Sequence, residues 1–190
     1  MEQAEYIDYK AIKKIKQSEG QILIRPLKKD DLKQTIIWLK DPQINKFLSA
    51  AFEDLDLKKE LDWLSEMNSS LIDFIFAVED KKNKRYIGNC GLHKVSWENK
   101  TCEFGILIGE KGYWGKAFGT DTINCIIEIA FKKLNMHKIK LFVYEYNERA
   151  INAYKKCGFE VKEILKDDHL YDDRYWDTIV MEKSAKVIQD

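Results

Sequence analysis

Apolar positions in the second half of the chain recur with two distinct periods. Ile123, Ile126, Ile127, Ala130, Phe131 and Leu134 fall at i, i+3, i+4, i+7, i+8 and i+11, the spacing of one apolar helix face. Lys138–Tyr144 instead alternates, with Ile139, Leu141 and Val143 on one side, as in a half-buried strand. Glu148–Lys156 predicts a short helix stopped by Gly158, a residue suited to a left-handed cap. Val161–Tyr171 and Arg174–Lys183 read as a hairpin around Asp172-Asp173. Earlier, Ile72–Glu79, Tyr86–Ser96 and Cys102–Ile108 are β-rich runs separated by short charged turns, the pattern of an antiparallel meander.

The first quarter is less regular. Tyr6, Ile7, Ala11, Ile12 and Ile15 share one side of a helix predicted over Met1–Gly20. Gln21–Pro26 reads as a short strand and Asp30–Lys40 as an amphipathic helix. Asp41-Pro42 ends that helix, because the residue before a proline disfavours the helical region. A second helix is expected over Leu57–Met67. There is no repeat and no low-complexity linker. The expectation is an N-terminal helical extension over 1–20 and a single domain over 21–190. Its fold class is α/β of the α+β type, with an antiparallel first half and one strand–loop–helix–strand crossover in the second.

Composition narrows the functional classes. At 190 residues the chain is the size of one domain, since domains run to roughly 100–200 residues. Thirty-two Lys and Arg balance thirty-two Asp and Glu, which argues against a nucleic-acid partner, whose binding domains carry a basic surplus. No window approaches the roughly 18–20 apolar residues of a membrane span, and Met1–Gly20 lacks a signal-like apolar core, so a cytoplasmic location without membrane association is expected. Cys90, Cys102, Cys125 and Cys157 stand far apart, with no CxxC and no histidine at ligand spacing. They read as small buried hydrophobes, and no metal is expected. His93, His137 and His169 lie on three different elements and make no catalytic pair; Tyr9, Trp38 and Trp63 read as core or interface aromatics.

The segment Gly109–Gly119 joins a strand to a helix N-terminus. Unpaired amides and the positive end of the helix dipole make such a junction an anion site. Small residues at Gly115, Ala117 and Gly119 would let main chain approach a phosphate, and Lys116 adds positive charge. A nucleotide-hydrolase P-loop is ruled out, because Glu110 stands where its first glycine belongs and Ala117 where its Ser/Thr belongs. A dinucleotide GxGxxG fits neither in spacing nor in position. The glycines alone leave a plain connection and a ligand loop equally open.

Two stretches together break that tie. Trp114-Gly115-Lys116-Ala117-Phe118-Gly119 resembles the pyrophosphate loop, Arg/Gln-x-x-Gly-x-Gly/Ala, of the GNAT superfamily of N-acetyltransferases. Downstream, Asn147-Glu148-Arg149-Ala150-Ile151-Asn152-Ala153-Tyr154-Lys155-Lys156-Cys157-Gly158-Phe159 is similar to the second signature of that family, Asn-x-x-Ala-x-x-x-Tyr-x-x-x-Gly-Phe. The likeness runs from about Gln21 to the C-terminus. Trp114 at the Arg/Gln position, Leu134–Ile139 and Arg174–Asp177 resemble the branch of ribosomal-protein and spermidine acetyltransferases. Ala117 departs from the pattern by putting a methyl where a glycine is usual.

The resemblance implies a mostly antiparallel central sheet whose central strands splay around acetyl-CoA, used as a co-substrate. It implies that Ile106, Leu107 and Ile108 offer backbone groups to the pantetheine arm. Trp114, Gly115, Lys116, Ala117, Phe118, Gly119 and Thr120 would hold the pyrophosphate, with Asn147 and Asn152 as further cofactor contacts. Tyr154 matches the tyrosine that protonates the departing thiolate. The implied reaction is direct attack of a primary amine on the thioester in a ternary complex. An alkylammonium must first lose a proton, so a base is useful. Glu103, a carboxylate within an apolar run, is the candidate, the other reading being an exposed strand residue paired with a lysine. The acceptor is a small-molecule or peptide amine: a polyamine, a protein N-terminus or an amino sugar. Glu53, Asp54 and Asp56, or Asp167, Asp168, Asp172 and Asp173, would attract a cationic one if they reach the cleft. A non-catalytic acyl-CoA-binding module is the rival reading, and association as a homodimer stays open.

Overall fold

A computed structural model describes residues 8–49, 52 and 54–185. Eight strands form one sheet: β1 (Gln17–Glu19), β2 (Ile22–Pro26), β3 (Phe74–Asp80), β4 (Tyr86–Ser96), β5 (Thr101–Ile108), β6 (Lys138–Tyr144), β7 (Glu160–Tyr171) and β8 (Arg174–Ser184). Their order is β1-β2-β3-β4-β5-β6-β8-β7. Every neighbouring pair is antiparallel except β5 and β6. A parallel pair cannot be joined by a tight turn, and here the crossover is α5 (Phe118–Glu128). The mixed, mostly antiparallel sheet agrees with the expected fold class.

Alternation along β3 gives the sheet two buried faces. Phe74, Phe76 and Val78 point to the main core with Ile22, Ile24, Cys90, Ile123, Ile126 and Ile129, so α5 lies over this face. Ala77 points the other way, to Leu27, Leu32 and Leu64. That face is covered by α2 (Leu32–Leu39) and α4 (Leu57–Ser69), with the single turn α3 (Pro42–Asn45) between them. Asp41 caps α3 by accepting from the Gln43 amide at 2.9 Å, so the proline sits inside a new helical turn rather than merely ending the old one.

Two sequence readings need correction. The helix expected over Met1–Gly20 is only α1 (Tyr9–Lys13) within the described residues, and Gln17–Glu19 is an edge strand paired with β2. Met1–Ile7, including Tyr6 and Ile7, lie outside the described residues. A three-residue strand whose partner lies across a turn leaves no periodicity to read. The helix predicted through Leu134 widens into a π turn over Ile129–Lys133. Elsewhere boundaries shift by a few residues. Asp172 and Asp173 form the two-residue hairpin turn, both with positive φ, as a type I′ turn requires.

Candidate active site

Strands β5 and β6 pair only from Thr101 to Glu103 and from Lys138 to Lys140. Beyond that point they part, leaving Phe104–Ile108 and Leu141–Tyr144 as the two arms of a fork. A cavity of about 890 Å³ fills the fork and extends to the first turn of α5 and to α6 (Glu148–Lys156). It is lined by Glu103, Tyr154, Ile106, Leu107, Ile108, Trp114, Gly115, Ala117, Gly119, Thr120, Asn147 and Asn152. Two of the residues singled out from the sequence do not line it. Phe118 is buried and meets the Tyr113 ring edge-on, with centroids 4.7 Å apart. Lys116 is exposed, and its carbonyl accepts from Gln21 Nε2 at 3.1 Å.

The loop has the makings of an anion site. Its only amide pairing near the helix start is Asp121 N–H to the Ala117 carbonyl, at 2.9 Å. Among the described residues the amides of Gly115 to Thr120 find no acceptor in the protein. A Cβ added at Gly115 or Gly119 meets no protein atom within 4 Å, so the space beside both is open. Ala117 adopts φ +66°, a left-handed conformation that favours glycine, and starts α5 from there. Asp121, in the first turn of α5, is held from outside: its Oδ2 accepts from the Gln21 amide at 2.9 Å. Gly20, at φ +47°, packs so tightly there that a Cβ would run into the Asp121 carboxylate. The turn between β1 and β2 thus clasps both the loop and the helix that follows it. The other end of the loop is fixed at Gly109, where a Cβ would run into the Trp38 indole.

The side chains at the fork divide by environment. Tyr154 is 6% exposed and packs edge-on against Phe104 and Phe159, at 6.3 and 5.9 Å between centroids. Its hydroxyl has no hydrogen-bond partner among the described residues. Burial pushes its phenol well above the ordinary tyrosine range, so it keeps its proton at neutral pH. Glu103 is paired with a lysine: its Oε2 lies 3.0 Å from Lys94 Nζ. Asn147 caps α6 by accepting from the Ala150 amide at 3.3 Å, which leaves its NH₂ group available. Trp114 Nε1 donates to the Ile108 carbonyl at 2.6 Å, so that carbonyl is already engaged.

Several cavity residues stand outside the fixed positions of either motif. The Arg149 guanidinium lies over the Trp114 ring at 3.8 Å, desolvated enough that burial lowers its pKa. Thr178 is 3% exposed, and its buried Oγ1 has no partner among the described residues. Phe47, Tyr144 and Asp168 also line the cavity. Tyr144 stacks on His169 at 3.8 Å, and Tyr146 stacks on Tyr171 at 5.4 Å. Among the described residues of the acidic clusters, only Asp168 lines the cavity. Asp54 offers its carbonyl to Lys59 Nζ, Asp56 caps α4 through the Lys59 amide, and Glu53 lies outside the described residues. His93 instead pairs with Asp73, Nδ1 to Oδ1 3.3 Å. All four cysteines are buried and free; burial holds the Cys102 and Cys125 thiols up at about 12 and Cys157 at about 11.

Residues 21–160 match the family model of the acetyltransferase (GNAT) domain. An uncharacterized protein of Methanocaldococcus jannaschii is 26% identical over 142 residues, 75% of this chain but only 28% of its own length. The spermidine N(1)-acetyltransferase of Vibrio cholerae is 34% identical over 102 residues, 54% of this chain and 58% of that one. The chain thus spans less than two thirds of the length of both. Among solved structures, spermidine N-acetyltransferase from Vibrio cholerae in complex with CoA and spermine superposes with a TM-score of 0.80 at 26% identity. That match covers 86% of this chain and 95% of the other. With the matched model spanning most of its length and this fold, the chain belongs to the GNAT acetyltransferase domain family.

Proposed function

We propose that the protein transfers the acetyl group of acetyl-CoA to a primary amine, by direct attack in a ternary complex. The observation that carries this reading is the fork between β5 and β6, which opens onto a helix start with unpaired amides. A diphosphate suits those amides, because the positive end of the α5 dipole and the main-chain donors act together there. Trp114, Gly115, Lys116, Ala117, Phe118, Gly119 and Thr120 contribute through main chain, so the outward side chain of Lys116 and the inward one of Phe118 do not conflict with that role. Arg149 and Lys156 line the same cavity and supply positive charge toward the phosphates. Ile106 and Leu107 extend the pantetheine arm like an added strand, with Ile108 contributing what Trp114 leaves free. Asn147 and Asn152 hold the cofactor from α6.

At the fork the amine gives its proton to Glu103, directly or through water, and attacks the thioester carbonyl. Tyr154, protonated and without a protein partner, donates to the departing thiolate. The acceptor is a small cationic amine of the polyamine kind. Asp168 and the ring of Tyr144 in the cavity wall support a cation there, as does the spermine in the matched complex. Residues 21–190 act as one catalytic domain, and Gln21, at the turn after β1, braces its cofactor loop.

The test is incubation with acetyl-CoA and a panel of primary amines, following release of the CoA thiol. Turnover is expected on polyamines ahead of amino sugars and peptide N-termini. Tight acetyl-CoA binding without thiol release on any amine would leave the non-catalytic binding module standing. No thermal shift at millimolar CoA would remove the cofactor reading altogether.

A further inference from the structure

We propose that Lys94 is an acetylation site of this protein, modified by the protein's own acetyl-transfer reaction within a single molecule. The inference rests on the acetyltransferase reading of the cavity. Lys94 and Lys156 are the lysines lining that cavity among the described residues, and Lys94 is the one that reaches the candidate base. Its Nζ lies 3.0 Å from Oε2 and 3.2 Å from Oε1 of Glu103. Glu103 is the last β5 residue paired with β6, so this ammonium sits at the point where the strands part. Glu103 and Phe104 project to opposite sides of β5, and Phe104 meets Tyr154 edge-on. Lys94, Glu103 and Tyr154 nevertheless all line the one cavity that the fork opens, so the amine and its carboxylate border the same space as the phenol.

The backbone puts the lysine there. The register of β4 against β5 slips between His93 and Ser96, and within the slip Lys94 adopts φ +47°. Its amide donates to Asp73 Oδ1 at 3.3 Å. A bulge of this kind re-aims the side chain it carries. The Lys94 side chain is 72% exposed, so it can swing without disturbing the core.

The step balances without any further reactant. Lys94 gives one proton to Glu103, and from there to solvent. Its Nζ lone pair attacks the thioester carbonyl carbon, the C–S bond breaks with its electrons leaving on sulfur, and the thiolate takes a proton from Tyr154. Solvent reprotonates Tyr154, and the new amine–acyl bond sheds its second proton. The sum is a lysine ammonium plus acetyl-CoA giving acetyl-lysine, CoA thiol and one released proton. The ammonium must lose a proton before its nitrogen can attack, so the reaction is slow beside turnover of a bound amine. Its consequence is electrostatic: acetyl-Lys94 no longer neutralises Glu103, and the carboxylate becomes free for an incoming ammonium.

The full chain is incubated with acetyl-CoA in the absence of other amines, and modified lysines are mapped by mass spectrometry over time. Lys94 is expected to gain one acetyl group about tenfold or more faster than any other lysine, because proximity replaces a bimolecular encounter. Excess CoA should suppress labelling at Lys94 alone, dilution of the protein should leave its rate constant unchanged, and Lys94→Arg should abolish the fast phase. Three results would overturn the proposal: labelling spread evenly over surface lysines, a Lys94 rate that scales with protein concentration, or an unmodified Lys94 in a preparation that acetylates the amine panel. That last result leaves the acetyltransferase reading intact. A protein that neither binds acetyl-CoA nor acetylates any amine loses both.

Discussion

The wall of the cavity built by β5, the loop from Gly109 to Ala117 and the start of α5 adds free main-chain amides to its side chains, whereas residues 44–49, β6 and the β7–β8 hairpin contribute side chains, among them Phe47, Tyr144 and Asp168. The first is anchored from behind at three places: Trp38 against Gly109, Gln21 against Lys116 and Asp121, and the buried Phe118. The second is a stack of aromatic side chains on a hairpin whose outer strand, β7, is exposed along nearly its whole length. A ligand gripped by main chain is recognised whatever side chains surround it; a ligand met by side chains is selected by their identity. On the proposed reading, the first wall faces the cofactor and is the common part of the machine, and the second faces the acceptor and is its adjustable part.

This contrast can be broken or sharpened by substitution. Tyr154 stands where the walls meet, and Tyr154→Phe should lower kcat about 10²-fold, the usual scale for loss of a general acid, with both KM values unchanged. An unchanged kcat would return Tyr154 to packing. Gly119→Val fills space that no protein atom occupies. It should raise the KM for acetyl-CoA about tenfold or more, equal to ~1.4 kcal/mol of binding, while the melting temperature holds. A fall in melting temperature with unchanged cofactor affinity would show that the open space serves folding instead. Asp168→Asn should raise the KM of a cationic amine about three- to tenfold at low salt, an effect that fades as ionic strength screens the charge, with acetyl-CoA untouched. If the acetyl-CoA KM moved instead, the division between walls would fail. Smallest is Ala117→Gly. Relief of a left-handed alanine, about 1 kcal/mol, is partly offset by the greater chain entropy of glycine, so stability should rise by a fraction of that. Loss of stability, read by denaturant unfolding, would mean that the alanine methyl contributes packing.

The same contrast explains what could be read from the residues alone. The first wall is made of consecutive residues, so β5, the loop and α5 announce themselves by period and by motif, as do β6 and α6 further along the chain. The motif describes main-chain shape, which is why Lys116 and Phe118 fall within it although their side chains point elsewhere. The acceptor wall is made by distant segments: Tyr146 donates to the Lys46 carbonyl across a separation of 100 residues, and Phe47 stacks on Tyr146 at 6.0 Å. No local pattern marks such contacts. Arg149 was visible within the second motif, but its seat on Trp114 depends on how α6 meets the loop. Lys94 reaches Glu103 where β4 bulges, and β1 is too short to show alternation, so its residues read as part of the helix before it.

The clasp at the tip of the first hairpin ties the start of α5, where the amides are unpaired, to a turn 100 residues away in the chain. A single methyl placed on residue 20 would press on the Asp121 carboxylate and tilt the opening of α5. Affinity for a thioester carrier would thereby be tuned by a position that touches neither of the reactants.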